Sequence, residues 1–173
     1  RYVLLREAES GAQQVSLVFA AWPAEDRLQA LGAALVDHPE LRVQGVVLHR
    51  NDTPGNVLLP MEEERGSASG DRVLRGEAAL WDQIGAVRLR LSPRSFSQVQ
   101  RAMAARIYAD VATALTAAPQ PGELLLDLYC GVGGIGLSAL RAQAPQDAEL
   151  SLVGVEESAA AIADAEASAA AAG

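Results

Sequence analysis

Four glycines, Gly131, Gly133, Gly134 and Gly136, fall within six residues, directly after the apolar run Leu124-Leu125-Leu126-Asp127-Leu128. The run reads as a short buried strand, and Leu137-Ser138-Ala139-Leu140-Arg141 after the glycines reads as the start of a helix. A glycine turn between strand and helix lets a nucleoside cofactor approach the backbone closely, at a helix N-terminus. A second apolar run, Leu152-Val153-Gly154-Val155, ends at Glu156. An acid at the tip of the second strand can accept both hydroxyls of a ribose. Together these residues predict a nucleoside-cofactor site. Gly131-x-Gly133-x-x-Gly136 also satisfies the dinucleotide fingerprint, so an NAD(P)-binding oxidoreductase stays open as an alternative. Asp127, four residues before Gly131, weighs the other way. A carboxylate there repels a pyrophosphate and suits a cofactor with a cationic, amino-acid-like end, as S-adenosyl-L-methionine has.

Such a site has to be held by parallel strands flanked by helices. Residues 124–129, 134–142, 151–156 and 158–171 read strand, helix, strand, helix, the opening of a sheet of this kind. Pro119-Gln120-Pro121-Gly122 separates them from a long helix over 97–116, with Val99, Met103, Ile107, Val111 and Leu115 at helical steps. Before it, Ala86-Val87-Arg88-Leu89-Arg90-Leu91 alternates apolar and basic residues as a half-buried strand does. Further upstream, strands are expected at 2–6, 15–19, 41–49, 72–76 and 79–81, a helix at 23–36, and an exposed loop at 61–71 around Glu62-Glu63-Glu64. The expected fold class is α/β. Residues 1–91 form a small central α/β domain with a mostly antiparallel sheet, and 92–173 form the first half of a Rossmann-like domain. Two strands do not make such a sheet alone, and the chain runs from Arg1 to Gly173 at the end of an alanine-rich helix. The sequence therefore reads as a piece of a larger protein.

Composition narrows the classes. Net charge is −8, with 14 basic residues, all arginine, against 22 acids. Residues 96–173 carry 3 arginines and 9 acids, so bulk charge gives no nucleic-acid footprint, and any RNA contact has to use local arginines or a domain outside this chain. A single cysteine excludes an internal disulfide framework and makes a reducing cytoplasm the simplest setting. No apolar run approaches the roughly 20 residues that cross a bilayer.

Ser92-Pro93-Arg94-Ser95-Phe96-Ser97-Gln98-Val99-Gln100, then a helix, then Leu126-Asp127-Leu128-Tyr129-Cys130-Gly131-Val132-Gly133-Gly134, then Gly154-Val155-Glu156, resembles the RNA (uracil-5)-methyltransferases, which act on uridines of ribosomal and transfer RNA. The resemblance covers 72–173 in motif order and spacing, and extends to 1–71 as the family's central domain. It implies S-adenosyl-L-methionine as cofactor, with Gln98 contacting it from the segment before the catalytic fold. Tyr129, Gly131, Gly133 and Gly134 would line its pocket and Glu156 would hold the ribose. Gln100 departs from the family's usual asparagine, and Gly134 stands where some relatives carry asparagine. The resemblance also implies that the nucleophilic cysteine, which adds to uracil C6, and the base that removes the C5 proton lie beyond Gly173. No catalytic residue is expected in this chain. Iron–sulfur cysteines and an RNA-binding barrel, found in many members, would precede Arg1. RNA would then be the partner of the whole protein. A truncated, non-catalytic binding module is a further reading.

Other residues have plainer roles. Cys130 sits inside the turn and is expected to be a packed thiol. Asp127 can cap the turn and Glu156 can serve as a helix N-terminal acid, in competition with their pocket roles. Arg88, Arg90 and Arg94 divide between RNA phosphates and a solvated strand face. His38 and His49 are expected at the surface or in loops, Trp81 and Phe96 in the core.

Overall fold

The computed structural model describes residues 1–55, 57–59, 71–117, 122–142 and 150–172, so the acidic loop expected around Glu62–Glu64 lies outside the described residues. The chain divides into two compact units, Arg1–Leu80 and Trp81–Gly173.

In the first unit, β1 (Tyr2–Glu7), β2 (Gln13–Phe19), β3 (Val43–Arg50) and β4 (Arg72–Gly76) form one sheet in the order β1-β2-β3-β4. The β1–β2 and β3–β4 pairs are antiparallel and the β2–β3 pair is parallel. A parallel neighbour requires a crossover, and α1 (Glu25–Val36) supplies it. The central strands β2 and β3 are buried along nearly their whole length, whereas β1 alternates as an edge strand does. Val15, Leu17, Leu28, Val43, Val46, Leu48 and Leu74 make one core. His49 is not at the surface: on β3, on the face opposite Val46 and Leu48, it is fully buried, with Nδ1 2.8 Å from Asp71 Oδ1. The valine-rich strand that carries it is central to the sheet, which overrides the preference of histidine for the surface.

The second unit holds β5 (Leu80–Ile84), β6 (Val87–Leu91), α2 (Arg101–Leu115), β7 (Leu124–Leu128), α3 (Gly134–Ala142), β8 (Ser151–Val155) and α4 (Ala159–Ala172). The sequence pattern places a domain boundary after residue 91; the two compact units divide after Leu80. The reason is packing: Ile84, Val87, Leu89 and Leu91 of the β5–β6 hairpin share a core with Ala104, Val132 and Leu137. β7 and β8 pair in parallel, Asp127 opposite Gly154. Two expectations are corrected here. Helix α2 starts at Arg101 rather than 97, leaving 92–100 without regular structure, and its apolar row faces outward except at the half-buried Val111. Ala104 and Ala112 are its buried residues, while Val99, just before it, and Met103, Ile107 and Leu115 are exposed. That face is buried because α3 packs against it: Tyr108, one turn from both Ala104 and Ala112, fills the contact and touches Gly134. β7 is likewise not fully buried. Helix α3 covers the face carrying Asp127 and Leu152, while Leu124, Leu126 and Leu128 are more than half exposed. No helix among the described residues is long and apolar enough to cross a membrane.

Candidate cofactor site

The turn after β7 is built on left-handed backbone. Tyr129 has φ 58°, Gly131 φ 56° and Gly133 φ 82°. Left-handed backbone is easy for glycine and uncommon for an aromatic residue, and Tyr129 is also 82% exposed. The amide of Cys130 donates to the carbonyl of Val155 at 3.1 Å, and that of Gly133 to the carbonyl of Cys130 at 2.9 Å, which locks the turn to the end of β8. A side chain added at Gly131 would meet nothing within 4 Å, so open space lies over the backbone where a nucleoside would approach. Gly134 is the opposite case. A Cβ there would stand 2.6 Å from the Tyr108 hydroxyl, so the aromatic ring takes the room that an asparagine would need.

Glu156 follows β8 and faces this turn. Its Oε2 accepts the Gly131 amide at 2.9 Å, and its Oε1 accepts the amides of Glu157 and Ser158 at 3.0 Å each. Chiefly the bond from Ser158, and then those from Gly131 and Glu157, hold the carboxyl below its ordinary range, while burial opposes them. The helix-start role is therefore visible directly. Each oxygen can accept more than one hydrogen bond, so ribose hydroxyls can join the same carboxylate. Asp127 turns Oδ2 to the Gly136 amide at 3.1 Å and so pins the first turn of α3. Burial pushes its carboxyl up, against that bond. The capping role is the one its geometry displays. Burial, with Asp127 and Glu156 nearby, also pushes the Cys130 thiol up, and its Sγ packs on Gly154. A protonated, packed thiol is a poor nucleophile.

Tyr129, Gly131, Gly133, Gly134 and Glu156 thus lie together around one turn. Gln98 comes from the separate segment 92–100 and is exposed, as is Phe96, which is 74% exposed and not the core residue expected. Trp81 is half-buried and carries the Arg88 guanidinium over its ring at 4.8 Å. Arg90, half-buried, pairs with the buried Asp164 of α4. Asp164 was not singled out by motif, yet it is fully buried and also accepts the Ser92 amide at 2.6 Å and the Ser95 hydroxyl. Ser168 accepts the Arg90 amide at 2.9 Å. The available signal was an acid, with a serine four residues later, inside a helix otherwise made almost entirely of alanine.

No family model matches the chain. Among curated proteins, it is 38% identical over 98 residues to an uncharacterized RNA methyltransferase of Geobacter sulfurreducens, covering 56% of this chain and 17% of that protein. It is 32% identical over 168 residues to the 23S rRNA (uracil(747)-C(5))-methyltransferase of Pectobacterium atrosepticum, covering 94% of this chain and 39% of that protein. Among solved structures, the tRNA (uracil-54, C5)-methyltransferase of Pyrococcus abyssi, in complex with S-adenosyl-L-homocysteine, superposes with a TM-score of 0.68 at 19% identity, over 99% of this chain and 36% of that one. The nicotinamide oxidoreductase alternative finds no support in these likenesses. The chain spans at most about two fifths of the length of these relatives. Over the stretch that it spans, the chain is similar in sequence to the RNA (uracil-5)-methyltransferase of Pectobacterium atrosepticum and in α/β fold to that of Pyrococcus abyssi.

Proposed function

We propose that this chain is the cofactor-binding part of an S-adenosyl-L-methionine-dependent methyltransferase that forms 5-methyluridine in ribosomal or transfer RNA. One observation carries the reading: the Glu156 carboxylate is bonded to the Gly131 amide, beside backbone with open space over it. The relatives named above support the reaction class, since the names of two of them specify uracil C5 in ribosomal or transfer RNA. When bound, S-adenosyl-L-methionine supplies an electrophilic methyl group on a sulfonium. In this reading Glu156 takes the ribose hydroxyls, and Tyr129, Gly131, Gly133 and Gly134 admit the adenosine to the backbone. Gln98 contacts the cofactor from the segment before α2. Cys130 stays a packed thiol, and no residue of this chain serves as nucleophile or base.

Titration calorimetry with S-adenosyl-L-homocysteine tests this. The protein should bind it and ignore NAD. Glu156→Ala should weaken binding at least tenfold, since a hydrogen bond to a charged group contributes roughly 1.5–3 kcal/mol. Binding of NAD alone, or an affinity indifferent to Glu156→Ala, would sink the proposal.

A further inference from the structure

Asp164 lies on the inner side of α4 with 0% of its surface exposed. A carboxylate in that position costs several kcal/mol of desolvation unless donors surround it. Here three donors do: the Arg90 guanidinium, the Ser92 amide and the Ser95 hydroxyl. Ser168, one turn further along α4, accepts the Arg90 amide and donates to the Asp164 carbonyl at 2.7 Å. The remaining residues facing that side of α4 are small, so packing alone gives no reason to place a charge there. All the partners lie at the end of β6 or just after it, where the chain leaves the sheet and runs without regular structure to Arg101. The root of that segment is fixed, with Ser95 buried and hydrogen-bonded to Ser92 at 2.8 Å. Its tip, from Phe96 to Gln100, is accessible. Helix α4 meanwhile begins beside Glu156, which accepts the Ser158 amide just before the helix. One helix thus holds Glu156 at its start and, through Asp164, the root of the segment that carries Gln98.

We infer that Asp164 is a positioning residue for cofactor binding: it anchors the 92–95 root on α4 and so aims Gln98 at the same ligand that Glu156 holds. This rests on the reading of the site as a nucleoside-cofactor site. It acts through Gln98, touching no ligand itself. The coupling spans three elements, β6, the following segment and α4, and needs a rigid bonded connection because the segment has no secondary structure of its own.

A double-mutant cycle in the full-length protein tests it, read as affinity for S-adenosyl-L-homocysteine. Gln98→Ala should weaken binding about five- to tenfold, the range of one neutral hydrogen bond. Asp164→Asn should weaken it by a similar factor. The double variant should be no weaker than the stronger single one, because the second change removes what the first has already disabled. A merely structural Asp164 would lower the melting temperature and give losses that multiply, and multiplying losses overturn the proposal. Ser95→Ala, which removes one bond and leaves the charge paired with Arg90, runs the same cycle should Asp164→Asn fail to fold. Failure of the unmodified protein to bind S-adenosyl-L-homocysteine would overturn the cofactor reading itself, and this inference with it.

Discussion

At the scale of residues, the proposed site depends on one carboxylate, Glu156, which holds the backbone of the turn and which we propose also takes the ligand. Glu156 accepts three amides, and these hold its carboxyl below the ordinary glutamate range. A carboxyl depressed by folding adds stability that is present above its unfolded pKa and is lost as pH falls through its folded one. The stretch tying the turn to α4 should therefore survive mild acid and loosen only below the range where a free glutamate titrates. A carbon-13 carboxyl titration by NMR checks this: the Glu156 midpoint should lie below that of a free glutamate side chain, and a midpoint at or above it would contradict the bonding described. Glu156 and the glycines were legible in the sequence because a turn's demands are local. Left-handed backbone calls for glycine, and a strand tip offers an acid to the next turn. Asp164 was not legible as a partner of Ser92 and Ser95, which stand 72 and 69 residues away. Nor was the burial of His49, whose partner Asp71 lies 22 residues on.

At the scale of elements, periodicity identified the strands and helices but mistook which face of α2 is inside. Val99, Met103, Ile107 and Leu115 make the stronger apolar row, yet Ala104 and Ala112 are the buried residues. Pattern reading ranks faces by hydrophobicity, whereas the contact with α3 buries the face of Ala104, Tyr108 and Ala112, where the Tyr108 ring fills the space against Gly134 and leaves its helical neighbours small. The beginning of α2 was misread for a related reason. Ser97 to Gln100 continue the helical pattern, but the backbone at Gln100 is extended, after a segment whose root is bonded to α4. The inverted face makes a sharp prediction for this 173-residue chain. Ala104→Leu should destabilise it by about 1–3 kcal/mol through overpacking. Met103→Gln, on the large-residue face, should change stability by no more than about 0.5 kcal/mol. Urea unfolding of both variants decides the matter, and a large loss for Met103→Gln with a tolerated Ala104→Leu would reverse the assignment of faces.

At the scale of the whole molecule, function and folding are divided between two units. Val46, Leu48 and their neighbours give Arg1–Leu80 a core of its own. Every candidate cofactor residue, from Gln98 to Glu156, lies in Trp81–Gly173, as does the Asp164 network. A ligand that binds only the folded form stabilises what it binds, by about 2.7 kcal/mol at a hundredfold excess over its Kd. Because the site is built entirely from one unit, that stabilisation should be local. Hydrogen exchange with and without S-adenosyl-L-homocysteine should slow at Tyr129–Gly134, in β8 and in α3, and at 92–100 if Gln98 is engaged. The buried amides of β2 and β3 should exchange at unchanged rates. Equal protection of β2 and β3 would mean that the two units respond to the ligand as one. Protection in those strands without any at the glycine turn would move the site elsewhere.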